Sequence, residues 1–324
     1  MEGKQDEVKT QALVKRFIIR LVELAGQGRF GKIRTFNPSY QKLLAILSRL
    51  LENPSYPITL WGESGTGKKT LIKEMISFSQ LITRLEGCEV KVPQFFDCRL
   101  VASGFTRDLR IDSGEIVVFE GVEHLSKDLQ KELLDFLNQR SQKLLASMQN
   151  VGRVFLYTSE SLSFKVLKKG FLRDLFVALN PTLLCVPTLN ERSEDFPILF
   201  KEILMELTQN GGQTVDSSLI DHLELQIWGR NVAQLRKEIQ TRVHRMPNIN
   251  RWTLQVWNST FENQSPPRAQ FKHLETKDVS NALAKRQKLQ FALHRAGGDR
   301  EKAARLLGLN KGEFLRALFT EGLR

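Results

Sequence analysis

The stretch "YPITLWGESGTGKKT", Tyr56 to Thr70, decides the fold. Its first half is short, apolar and β-branched, which predicts a strand. Its second half holds the complete pattern G-x-x-x-x-G-K in Gly62, Gly67 and Lys68. The next segment, "LIKEMISFSQLITRL", carries apolar residues at helical spacing. A glycine loop between a strand and a helix is a phosphate cradle. Its glycines let successive backbone N–H groups turn toward phosphate, the helix N-terminus adds its positive end, and the lysine neutralises the β and γ phosphates. Two readings are open: a working nucleotide or anion site built from Gly62, Glu63, Ser64, Gly65, Thr66, Gly67, Lys68, Lys69 and Thr70, or a vestigial fold element. The usual Ser or Thr that would hold Mg²⁺ after the lysine is replaced by Lys69.

Outward from the loop, helical and strand patterns alternate. "YQKLLAILSRLL" precedes it as an amphipathic helix; "EVKVPQFFDC", "GEIVVFEGV", "GRVFLYTSE" and "PTLLCVPTL" follow as strands, with "KDLQKELLDFLNQR" as a helix among them. Strands apolar along their whole length and separated by helices predict an α/β domain, a parallel sheet covered by helices on both faces. This domain is expected over 35–189. From 190 to 250 the pattern is only helical, which predicts a small lid domain. Residues 251–275 include the polar, proline-paired "NSTFENQSPPRAQ" and read as a linker. Residues 276–324 are helical again. The N-terminal 1–34 carry a helix over 8–24 with Leu13, Phe17, Ile18, Leu21 and Leu24 on one stripe. That stripe fits either a dimer contact or packing on the next domain.

The chain has 324 residues and a net charge of +12, of which the last 57 residues carry +7. Such a basic end suits nucleic acid or, more blandly, a solvated tail. Cys88, Cys98 and Cys185 fit no metal-ligand spacing and are expected to be buried and reduced, as in a cytoplasmic protein. The five histidines are scattered, so no metal site is expected. The polar N-terminus is no signal peptide, and no apolar run is long enough for a membrane helix, so no membrane partner is expected.

"GESGTGK" resembles the AAA+ domain of NtrC-type bacterial enhancer-binding proteins, the activators of sigma-54 RNA polymerase. That family usually has Glu where Lys69 stands. "IDSGEIVVFEGVEHLSKDLQKELLDFL" resembles its Walker B strand and following helix. "GFLRDLFVALNPTLLCVPTLNERSEDFPIL" resembles the arginine-finger helix, the last strand and the L-x-E-R-x-x-D start of the lid, here Leu189, Glu191, Arg192 and Asp195. "WGRNVAQL" is similar to the lid motif W-P-G-N-V-R-E-L. The resemblance covers roughly Thr35 to Met246 and implies an α/β AAA+ P-loop fold with a helical lid and a site for ATP or ADP, with or without Mg²⁺.

The resemblance also marks what is missing. Hydrolysis needs a Walker B Asp for Mg²⁺, a Glu to orient water and an Arg on the transferred charge. The family's Asp-Glu falls on Glu120-Gly121 or, one residue earlier, on Phe119-Glu120; either register breaks the pair. The finger Arg falls on Ala178, with Arg173 one turn earlier, the lid Arg on Ala233 and the sensor Asn on Ser159. The family's G-A-F-T-G-A hairpin shrinks to "SGFT", Ser103 to Thr106. The expected outcome is a non-hydrolysing, degenerate domain, with Glu120 still lining the nucleotide site.

"AARLLGLNKGEFLRAL" resembles the Fis-type DNA-binding domain that ends most such activators. Asp299 is a good N-cap for "REKAARLL", Gly308 ends that helix, and Ala304, Leu307, Leu309, Phe314 and Leu318 match the core of a helix-turn-helix. The resemblance implies an all-α domain contacting double-stranded DNA through Lys302, Arg305, Asn310, Lys311, Glu313 and Arg316. A dimerisation domain without DNA contact is the alternative.

The leading expectation is therefore a DNA-binding transcription regulator, self-associating as a dimer or higher oligomer, with its AAA+ part used for nucleotide sensing or assembly. The alternatives are an active ATPase remodelling RNA polymerase, a scaffold acting through the N-terminal helix, and a regulator responsive to a cyclic dinucleotide near Arg34. Only about 34 residues precede the AAA+ part, so no receiver domain is expected there.

Overall fold

The computed structural model describes residues 2–54, 56–107, 109, 112, 114–147, 152–208, 212–262, 289, 299–307, 312, 314, 315 and 317. It divides into two compact units, one of residues 1–198 with 230–233, the other of 199–229 with 234–324.

The first unit is built on a five-stranded parallel sheet. Its strands are β3 (Ile58–Trp61), β4 (Gln94–Asp97), β5 (Ile116–Glu120), β6 (Arg153–Thr158) and β7 (Leu183–Cys185), after the two-residue hairpin strands β1 (Arg29–Phe30) and β2 (Ile33–Arg34). The order across the sheet is β4-β5-β6-β3-β7, so β3 lies between two neighbours. Ile58, Thr59 and Leu60 are buried. That is why this strand reads as a continuous apolar run rather than an alternating one.

Helices cover both faces. α2 (Pro38–Leu50) starts on Asn37, whose side chain accepts from Tyr40 N, with Pro38 at its first position, where the missing N–H costs nothing. α3 (Lys68–Leu85) turns Leu71, Ile72, Met75, Ile76 and Ile82 inward. Its buried Ser79 and Thr83 satisfy themselves on the carbonyls of Met75 and Ser79. α4 (Lys127–Ser147), α5 (Leu162–Leu167) and α6 (Arg173–Leu179) pack a second cluster around Phe119, Leu133, Leu156, Leu175 and Leu179. Each such fully buried side chain contributes about 1.5–3 kcal/mol. Arg140 is 1% exposed in α4 and donates to the carbonyls of Gly152 and Pro54. Burial pushes its guanidinium down to about 10.

α1 (Glu2–Gly26) is longer than the expected 8–24, and its stripe is rotated. Val14, Ile18, Leu21 and Ala25 are buried in one cluster with Leu44, Leu47 and Leu71, whereas Leu13 is half exposed. The helix packs on the α/β domain. The strand expected over "EVKVPQFFDC" pairs only at Gln94–Asp97, because Pro93 has no N–H for the ladder. The cysteine expectation is corrected in part: Cys98 is buried, Cys88 half-buried and Cys185 exposed.

The second unit holds most of α7 (Phe196–Thr208), α8 (Ser217–Glu224), most of α9 (Asn231–Arg245) and α10 (Leu254–Glu262). Its core includes Phe200, Leu219, Leu223, Trp228, Leu235, Ile239, Trp252 and Trp257, with the Arg242 guanidinium 3.6 Å over the Trp257 ring. Two expectations need correction: residues 251–262, read as the start of a linker, carry β9 (Arg251–Trp252) and α10 with Trp252 and Trp257 buried, and the segment expected to be all-helical contains a strand. β8 (Thr214–Val215) pairs in parallel with β9 (Arg251–Trp252). Two-residue strands are too short to leave a periodic signal.

Near the C-terminus, Asp299 caps the helix Arg300–Leu306, accepting from Glu301 N at 2.9 Å and Lys302 N at 3.1 Å. Leu289, Ala303, Ala304 and Phe314 are buried together, with Leu307 and Ala317 against them. Leu309 and Leu318 lie outside the described residues. No helix among the described residues is long and apolar enough to cross a membrane.

Candidate nucleotide site

β3 ends at Trp61 and the loop Gly62–Gly67 carries the chain to the first turn of α3. Gly67 holds the N-cap at φ 103°, a conformation that favours glycine. At Gly65, φ is 80°, and an added Cβ would overlap the carbonyl oxygen of Arg230. The loop is thus shaped by an element far along the chain.

Two side chains, Asn231 and Arg192, hold that shape, and Asp195 fastens the segment before α2. Asn231 is fully buried at the start of α9; its amide nitrogen donates to Ser64 O at 3.0 Å and Glu63 Oε2 at 3.2 Å, and its oxygen accepts from Leu189 N at 2.7 Å. Arg192 donates to Thr66 O at 2.6 Å and lies 4.5 Å over the Tyr40 ring. Asp195 is fully buried and accepts from Thr35 Oγ1, Phe36 N and Asn37 N. Leu189 is buried, and the Glu191 carboxylate accepts from the Thr188 amide and hydroxyl. Ala233, at the lid-arginine position, gives its N–H to Gly65 O.

Lys68 is buried and donates to Gly62 O at 2.5 Å and Glu63 O at 2.8 Å. Burial lowers its pKa, against the opposing charges of Glu123, Glu63, Cys185 and Glu120. Thr66 is buried with its hydroxyl on Glu63 O, while Glu63, Ser64, Lys69 and Thr70 are exposed.

Across from the loop stands Glu120, the last residue of β5. Its Oε2 meets Lys69 Nζ at 2.8 Å, and its Oε1 lies 3.9 Å from Arg99. Burial works against its ionisation, but the bonds from Lys69 and Tyr157 and the Lys69 charge hold its carboxyl below the usual range. Asp97, beside it at the end of β4, takes Arg99 through two side-chain bonds of 2.8 and 2.7 Å, which hold it down at about 2. Phe119 is buried in the core. Gly121 follows with φ 71° and ψ 46°. Arg173 is exposed at the start of α6.

One residue escaped the sequence reading. Glu123 is 4% exposed in a short helical turn after Gly121. Its Oε1 accepts from Ser159 N, the sensor position, at 2.7 Å, and its Oε2 has no hydrogen-bond partner. It is the first-ranked opposing charge on Lys68. The signal was present in the string "FEGVEHL", but only the turn at Gly121 brings this carboxylate toward the lysine. With His124 and Glu160 it forms a cluster able to offer three ligand atoms within 4.8 Å of one another, although Lys165 already bonds both Glu123 O and Glu160.

The donor set around the loop does not fit Mg²⁺. Magnesium takes one or two carboxylates free to bind it, together with phosphate oxygens and water. Here Glu120 is engaged by an ammonium, Asp97 by a guanidinium, and a lysine stands at the hydroxyl position; Glu123 Oε2, which has no hydrogen-bond partner, is buried in the field of the Lys68 ammonium.

"SGFT" forms a closed turn. Glu132 of α4 accepts from Gly104 N at 2.9 Å and from Thr106 N and Oγ1 at 2.8 and 2.9 Å. Arg34 donates to Gly31 O and Ile33 O and lines, with Phe17, Arg20, Arg29 and Phe78, a cavity of about 330 Å³. Of the expected DNA contacts, Lys302 and Arg305 are exposed on the capped helix. Asn310, Lys311, Glu313 and Arg316 lie outside the described residues.

No family model matches the chain. It is similar to the Nif-specific regulatory protein of Azotobacter vinelandii, 28% identical over 307 residues that cover 87% of this chain and 58% of that one. ZraR of Salmonella typhimurium is 23% identical over 319 residues, covering 91% and 69% of the two chains. The DNA-binding transcriptional regulator NtrC of Azospirillum brasilense is 22% identical, covering 85% and 66%. The chain therefore spans about six-tenths to seven-tenths of the length of these relatives. The crystal structure of NtrX from Brucella abortus in complex with ADP superposes with a TM-score of 0.59 at 15% identity, over 90% of this chain and 70% of that one. The same protein in complex with ATP gives 0.53 at 16% identity. The chain has the AAA+ P-loop fold and is similar, at low identity, to these regulatory proteins.

Proposed function

We propose that the chain is a DNA-binding transcription regulator, self-associating, whose AAA+ domain binds ATP or ADP without turning it over. The nucleotide serves sensing or assembly. The observation that carries this is the contrast within one site. The loop that would hold phosphate is complete and latched by Arg192 and Asn231. The position that would orient the attacking water is Gly121, which has no side chain, and the finger and lid positions are Ala178 and Ala233. The NtrX structures with ADP and ATP support a nucleotide in this fold, and NtrC supports DNA as partner. A C-terminal helix-turn-helix domain over 276–324 and a cytoplasmic location belong to this proposal.

A steady-state phosphate-release assay on the full chain, with and without duplex DNA, tests turnover; the expected result is background. Deleting 276–324 tests the partner and should abolish duplex binding. The paired change Lys311→Ala and Arg316→Ala should flatten the log–log salt dependence of binding by about 1.8 for two lost phosphate contacts. Duplex binding by the truncated chain at full strength would remove DNA from the proposal.

The active-ATPase alternative has one observation in its favour. Glu123 places a buried carboxylate with an unpartnered oxygen where its charge acts on Lys68. Turnover that Glu123→Gln removes would establish it. Against polymerase remodelling stands the "SGFT" turn, closed on Glu132. Transcription from a sigma-54 promoter should not respond to the protein. A cyclic dinucleotide at the Arg34 cavity is the alternative effector, and competition against bound ADP separates it from the loop site.

A further inference from the structure

We propose that Lys69 takes the place of the divalent cation, so that the nucleotide held in this site is the metal-free form. The inference rests on the nucleotide-binding reading of the loop and goes beyond it by naming the species bound. A nucleoside polyphosphate brings several negative charges close together, and a binding site must offset them either with a metal ion or with fixed cations. This site is built for the second. Lys69 is the second residue of α3, directly after the loop lysine. Its ammonium is anchored 2.8 Å from Glu120 Oε2, the last side chain of β5, where a metal-binding carboxylate would stand.

Glu120 is engaged from three sides, by Lys69, by the Tyr157 hydroxyl and more distantly by Arg99 at 3.9 Å. Asp97 is closed by its paired bonds to Arg99. Glu123 holds Ser159 N with one oxygen, and its other oxygen, without a hydrogen-bond partner, already has the Lys68 ammonium as counter-charge. A magnesium ion entering here would have to expel a lysine from Glu120 while remaining beside its positive charge. That repulsion has no counterpart for the ammonium itself, which is already in place.

The lysine can also follow the ligand. Its side chain is 65% exposed. The ammonium therefore stays solvated while it swings from Glu120 toward a phosphate oxygen, and Glu120 stays within reach of Arg99. Lys68, bonded to Gly62 O and Glu63 O, supplies the other fixed charge.

The test uses the purified, nucleotide-free full chain and titrates ADP and ATP separately by calorimetry, once in EDTA and once in excess Mg²⁺. The expected result is clear binding in EDTA that weakens by about tenfold or more in excess Mg²⁺, which draws the free nucleotide into its metal complex. Equal or tighter binding in Mg²⁺ overturns the inference while leaving the nucleotide reading intact. No binding in either condition overturns both. A second arm uses Lys69→Glu, with thermal melting to confirm folding. This variant should lose about tenfold or more in EDTA, from one lost charge-assisted contact, and recover when Mg²⁺ is added. Unchanged affinity of Lys69→Glu in EDTA would show that the ammonium is not the counter-charge and would likewise overturn the inference.

Discussion

The loop side of the site and the β5 side are held by different kinds of interaction. On the loop side every backbone requirement is met. Glycines stand at the positive φ angles of residues 65 and 67, the carbonyls of Ser64 and Thr66 are held by Asn231 and Arg192, and Lys68 is buried in place. On the β5 side charged side chains set the arrangement at the strand end. Glu120 pairs with Lys69, Gly121 turns the chain, and the carboxylate that reaches toward Lys68 is Glu123. Such a contrast teaches that binding and turnover are separable demands. Binding needs backbone geometry, which tertiary latches preserve. Turnover needs particular side chains at particular atoms, and losing them leaves packing untouched.

The comparison breaks most severely if the latches are dispensable. Asn231→Ala leaves the Leu189 N–H and the Ser64 carbonyl without their partner in a buried setting. It should cost about 2–4 kcal/mol and lower Tm by on the order of 10 °C, measured by calorimetry. A loss within the noise would mean that the loop holds its own shape. Lys68→Ala removes a charge rather than a latch. It should weaken ADP binding by about 1.5–3 kcal/mol, or roughly 10–150-fold, with little change in Tm.

Gly121→Glu probes the other side. The residue sits at φ 71°, and an added Cβ would come within 3.0 Å of the His124 ring. Restoring the side chain should therefore destabilise by about 1–2 kcal/mol without creating turnover. Turnover in this variant would show that a single carboxylate separated the two sides.

The smallest effect sharpens the comparison through pH. The pKa of Lys68 in the ligand-free fold is lowered, chiefly by burial. Folding therefore carries a cost while Lys68 is charged, which is relieved as pH rises from the lowered pKa toward the unfolded one. Phosphate favours the charged form and pushes the pKa back up. Nucleotide binding should then take up protons on the alkaline side, and affinity should fall there while staying flat near neutrality. Calorimetry in buffers of different ionisation enthalpy reads that uptake directly.

The legible and illegible parts of the site differ in the same way. The strand, glycine loop and helix over Tyr56–Leu85 could be read from the string because their determinants are local, namely φ-permissive glycines at fixed spacing between an apolar run and a helical stripe. The Asp299 cap was readable for the same reason. The rotated stripe of α1, which buries Val14 and leaves Leu13 half exposed, was not. Several apolar residues compete for one face, and the partner helix chooses among them. The β8–β9 pair escaped because two residues give no period.

From the string alone came the P-loop, the alternation that builds a parallel sheet and the basic C-terminal end. Only the tertiary structure decided that Lys69 closes on Glu120, that Glu123 turns toward Lys68 after Gly121, and that Asn231 fastens a loop 168 residues away. Local conformation is set by neighbours along the chain. An ion pair or a buried hydrogen bond is set by which groups the packed core brings within about 3 Å, and no spacing along the chain encodes that distance.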